Sequence, residues 1–87
     1  MVDESEILLA DGLEEAFIGV AQQFNKHFAV YDREKAVKVF MDRDDMTRED
    51  AEEWFEFNVV GAWVGENTPA FVTQCSFKEL ATGIIHE

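Results

Sequence analysis

Residues 27–40 read HFAVYDREKAVKVF. The spacing of apolar residues changes at Asp32. Before it, Phe28 and Val30 sit two apart, as on one side of a strand. After it, Ala36, Val37 and Phe40 fall on one face of a helix, with Met41 at its edge. Asp32 suits the junction, because its carboxylate can accept from the free amides that open a helix. A strand over 27–31 therefore feeds a helix from Arg33 to Met41 or Arg43. Glu34 and Lys38 are placed as an i,i+4 pair on its outer side.

Upstream, Ala16–Ala21 is a short apolar run, read as a strand that pairs with 27–31 as a hairpin through a turn at Gln22–Lys26. Ile7–Ala10 is an earlier apolar patch, followed by a turn signal at Asp11-Gly12. Downstream, Asp42–Asp45 breaks the helical pattern. Thr47 then opens a second helix over about 47–61. Met46 is placed to pack on Ala51, and Glu49 and Asp50 lie in the first turn, where the helix dipole favours acids. Ala51, Trp54, Phe55, Asn58, Val59 and Ala62 share one face of it. If buried there, Asn58 needs a partner, and the Gly65–Pro69 turn is the expected one.

Gly61 can close that helix, Gly65 suits positive φ, and Pro69 can begin a strand but not sit centrally in one. Phe71, Thr73, Cys75 and Phe77 alternate with Val72, Gln74 and Ser76 as a third strand. A short helix over Lys78–Thr82 ends at Gly83. The expected fold is a single α+β domain of order β-β-α-α-β, a small antiparallel sheet of about three strands with two helices packed on one face.

Bulk composition limits the function. The chain has 87 residues, 19 acids against 7 bases, and a formal net charge of −12. Direct nucleic-acid binding needs a basic footprint, and an anionic membrane repels such a chain. A basic protein surface attracts it. No run of about 18 apolar residues marks a membrane span, and the acidic N-terminus lacks the basic segment of a secretory signal. The lone Cys75 has no partner for an internal disulfide. The expected setting is the cytoplasm of the host cell.

The motifs YDREKAVKVF (31–40), DAEEWFEFNVVGAWVGENTPAF (50–71) and EAFIGVAQQF (15–24) resemble a group of small proteins encoded by tailed phages and prophage-bearing bacteria. The shared pattern is Tyr31-Asp32 before a helix, Phe55 with Asn58, and Gly65 with Thr68-Pro69. The resemblance covers roughly residues 11–72. It implies a phage origin and carries no activity, cofactor or mechanism with it.

Catalytic chemistry is poorly supplied. His27 lies in the hairpin and His86 is the penultimate residue, so neither is set beside Cys75 by any local motif. Gly61 and Gly65 lack the helix and lysine of a phosphate loop. Asp42–Asp45 lacks the glycine and spaced glutamate of a calcium loop. No catalytic residue, cofactor or metal site is expected, and the chain reads as a non-enzyme.

Glu49, Glu52, Glu53 and Glu56 instead form a row along the second helix. The row is an ordinary solvated face, or one paired with Lys35 and Lys38 of the first helix, or a nucleic-acid mimic that inhibits or modulates a host protein through its basic surface. Phe57 would anchor such a face, and Trp63 is either a lid on the core or a second anchor. The partner-binding set is thus Glu49, Glu52, Glu53, Glu56, Phe57 and Trp63. The alternative is a homo-oligomeric accessory or structural phage protein.

Overall fold

A computed structural model describes residues 7–62, 65 and 67–83. Strands β1 (Phe17–Gln23) and β2 (Lys26–Asp32) form an antiparallel hairpin; helix α1 (Arg33–Arg43) continues directly from β2 without a linker. Helix α2 (Arg48–Phe55) runs into a π turn at Glu56–Val60; strand β3 (Ala70–Val72) and helix α3 (Phe77–Ala81) complete the chain. The α+β class and the order β-β-α-α-β are as the sequence predicts.

Asp32 caps α1 as expected: its Oδ1 accepts from the Lys35 amide at 2.9 Å. Thr47 caps α2 in the same way, accepting from the Asp50 amide at 3.2 Å. Met46 is partly buried against the core. Ala29 and Tyr31 of β2 meet Ala36, Val37 and Phe40 of α1 and Ala51 and Phe55 of α2, with Leu13 and Ala16 closing one end. A line of rings crosses this core. Phe17 meets Tyr31 at 5.6 Å between centroids, Tyr31 stacks on Phe71 at 5.7 Å, and Phe71 meets Phe55 edge-on at 4.9 Å.

Several details differ from expectation. The sheet is mixed rather than wholly antiparallel: in the order β1-β2-β3, β3 runs parallel to β2. Parallel neighbours need a long crossover, and residues 33–69 supply one through both helices. β3 also stops at Val72 instead of reaching 77. Its last pair is Val72 with Asp32, and at that level β2 has already turned into α1, so residues 73–76 have no strand to join.

The hairpin turn is shorter than predicted. It is the two residues Phe24 and Asn25, and both strands extend towards it. A bulge between Phe17 and Gly19 kinks β1, and Gly19 adopts φ 150°, which a side chain would resist.

The second helix changes character after Phe55. The Gly61 amide reaches back five residues to the Glu56 carbonyl at 3.0 Å, which closes the π turn. The wider turn rotates the next residues away from the 3.6-residue stripe. Ala51 and Phe55 are buried as expected, whereas Asn58 and Ala62 are exposed. Asn58 is therefore not a buried tie. Its Nδ2 donates to the Trp54 carbonyl of its own helix at 3.1 Å. The turn is held by Asn67, whose Nδ2 donates 2.8 Å to the His27 carbonyl on β2. Gly65 has the positive φ predicted for it, at 118°.

Candidate protein-binding site

The four glutamates of the acidic row do not share one environment. Glu56 accepts from Arg33 at 2.8 Å, and Glu52 lies 3.3 Å from Nε of Arg48 and 3.9 Å from Arg33. Arg33 also lies over the Phe55 ring, 5.4 Å from its centroid. Glu52 and Glu56 are thus held against α1 and largely neutralised. The counter-charges are Arg33 and Arg48, not Lys35 and Lys38.

Glu34 departs from its predicted pairing with Lys38. Arg48 grips it with both terminal nitrogens, one of them at 2.6 Å, and this two-pronged bond is the stronger option. The hydrogen bond from Arg48 holds the Glu34 carboxyl below its usual value, and the same bond raises Arg48. Arg48–Glu34 ties the start of α2 to the start of α1 across the acidic break.

Glu49, Asp50 and Glu53 are the remaining acids of α2. None of the three makes an ion pair among the described residues. Asp50 and Glu53 border a shallow depression of about 450 Å³ together with Met46, Trp54, Phe57 and Asn58. Phe57 is 79% exposed. Trp54, expected in the core stripe, is 40% exposed; one side of its ring packs on Phe40 at 4.9 Å between centroids. The depression therefore combines a free aromatic, an aromatic fixed from behind, and unpaired carboxylates.

Of the sequence-predicted set, the structure brings Glu53 and Phe57 to this depression, ties Glu52 and Glu56 to Arg33 and Arg48, and leaves Glu49 outside the depression's lining. Trp63 lies outside the described residues. Sequence reasoning misses Asp50 and Trp54 as members of the site. The helix dipole accounts for Asp50 and the apolar stripe accounts for Trp54, so neither stands out along the chain. The i,i+4 spacing of Arg48 and Glu52 is a legible sign that Glu52 is paired.

A second concavity, about 320 Å³, lies between residues 8–13, Phe40, Trp54, Val59 and Pro69, with Arg43 at its edge. Arg43 donates to the Gly12 carbonyl at 3.2 Å and covers the Phe40 ring, so its role there is to hold the chain entry onto α1. Cys75 is exposed and His27 is half-buried in β2. Among the described residues, no group of three or more His, Cys, Asp or Glu is disposed to hold a metal ion, and no helix is long and apolar enough to cross a membrane. No family model matches the chain, and neither a curated protein nor a solved structure matches it.

Proposed function

We propose that this protein is a non-enzymatic binding factor that engages a basic protein surface through the outer flank of α2. The observation that carries this reading is the contrast across one helix. Glu52 and Glu56 are consumed by Arg33 and Arg48, while Asp50 and Glu53 stay unpaired beside the exposed Phe57 and the half-exposed Trp54, with Glu49 unpaired one turn before Glu53. Aromatic anchors ringed by charge are the usual centre of a protein interface. Unpaired carboxylates at helical spacing present charge as a phosphate backbone does, so the fitting partner is a protein whose basic surface serves nucleic acid. The resemblance to phage-encoded proteins supports a partner in a bacterial host, with its inhibition or modulation as the outcome.

Capture from host lysate with the wild-type chain and with a Glu49→Gln, Glu53→Gln, Phe57→Ser variant tests the reading. Basic proteins should be retained at low salt by the wild type, displaced by added DNA, and lost from the folded variant. Identical capture by both chains would remove the α2 flank as the binding site.

A further inference from the structure

The acids are distributed unevenly along the chain. Residues 16–31, AFIGVAQQFNKHFAVY, contain none of the 19 and include one lysine. This segment is essentially the β1–β2 hairpin. β1 is an edge strand of the sheet, and nothing among the described residues pairs with its outer side. Natural edges are usually protected by charges, proline or a bulge; β1, FIGVAQQ, carries no charge or proline, and its bulge lies at the Phe17–Gly19 end, so Val20–Gln23 pair regularly. In a two-residue hairpin the closing pair is hydrogen-bonded and the pairs then alternate. Gln23–Lys26 closes this one, so Val20 and Gln22 belong to pairs whose amides and carbonyls point out of the sheet.

The two ends of this edge are complementary. At the tip, Phe24 is 88% exposed and held at φ 55°, a conformation unfavourable for phenylalanine. At the other end, a cavity of about 270 Å³ opens between Leu9, Ala10, Asp11, Glu14, Phe17 and Tyr31. It is wide enough for a phenyl ring. The tip and the cavity lie one strand length apart, roughly 20 Å.

We propose that two copies of this chain pair through β1, antiparallel about a two-fold axis near Val20, and that Phe24 of each copy enters the cavity beside Phe17 of the other. Self-complementarity is what a two-fold contact requires, and an exposed tip and a largely apolar recess at opposite ends of one edge provide it. The pairing adds the free edge of one sheet to that of the other, giving six continuous strands. Along the paired strands it joins the molecules where a chain of net charge −12 has no carboxylate, although Asp11 and Glu14 border the recess at each end. At each end it carries Lys26 of one copy towards Glu14 and Glu15 of the other. The surface is separate from the α2 flank, so the two proposals stand or fall independently.

The full chain, 10.0 kDa, is to be followed by sedimentation over a concentration series. A species of twice that mass is expected in the micromolar range. Phe24→Gly relieves the unfavourable backbone conformation, so this variant folds at least as well as the wild type. It should nevertheless raise the dimer dissociation constant roughly tenfold or more, as loss of an interface anchor does. Val20→Lys, at an already exposed position, should do the same by setting two cations across the axis. A wild type that stays monomeric at high micromolar concentration overturns the proposal. So does a dimer whose dissociation constant is untouched by Phe24→Gly.

Discussion

Gln74 Nε2 donates 2.6 Å to Oδ2 of Asp32, the residue whose other oxygen caps α1. One carboxylate, 8% exposed, thus fixes the strand-to-helix junction and the chain segment leaving β3, across 42 positions of sequence. The end of β2, the start of α1 and the exit of β3 are mechanically one unit.

Asp32→Ala removes both bonds. The loss should be about 2 kcal/mol or more, combining a helix cap with a part-buried hydrogen bond to a charged group. Asp32→Asn keeps cap geometry and should lose clearly less. Urea unfolding of the two variants checks the order; equal losses would mean that the cap contributes nothing.

Asn67, rather than Asn58, should govern the turn before β3. Asn67→Ala frees the His27 carbonyl and should speed amide exchange at Thr68 and Ala70. Asn58→Leu, at an exposed helical position, should leave those amides unchanged. The reverse pattern would restore Asn58 as the tie.

The two flanks of α2 should respond oppositely to neutralisation. Glu52→Gln with Glu56→Gln breaks contacts with Arg33 and Arg48 and should lower stability slightly, as expected for partly exposed pairs. Glu53→Gln, which leaves the dipole-favoured Glu49 in place, relieves like-charge repulsion one turn apart and should raise it by a few tenths of a kcal/mol. Only this second change should slow association with a basic partner, and the wild-type on-rate should fall as salt rises. Thermal melts and stopped-flow association separate the two effects.

Acid should weaken the link between α1 and α2. Glu34 is lowered in the folded chain by its bond to Arg48, so the unfolded chain takes up the proton at higher pH than the folded one. The stabilisation is whole above the unfolded value, about 4.5, and is lost as pH falls through the folded value below it. The stability difference between wild type and Glu34→Gln should therefore be constant near neutrality and shrink in acid. A difference independent of pH would show that the pair is not populated in solution.

Phe55 is fully buried where α2, α1 and β3 converge. Phe55→Ala should cost about 3–5 kcal/mol, a large share of the stability of so small a domain. Circular dichroism should find the variant largely unfolded at physiological temperature.

Local features were legible along the chain alone. Apolar period, cap residues and turn residues placed the hairpin, both helices and the element order, because each depends on neighbours within about four positions. The caps at Asp32 and Thr47 were readable for that reason. The capping box of Ser76 and Glu79 has the same local character, but it is masked because residues 71–77 alternate as a strand would. The tertiary structure decided everything that joins distant positions. The parallel direction of β3 and its early end depend on where β2 turns, not on the composition of residues 73–77. The division of the acidic row depends on Arg33, 23 positions from Glu56, reaching it once α1 and α2 are side by side. The bond from the Ala10 amide to the Tyr31 hydroxyl, at 2.8 Å, likewise arises only when the entry segment crosses β2. A helix period shows which residues share a face; which neighbour then claims each carboxylate is settled only when the helices pack.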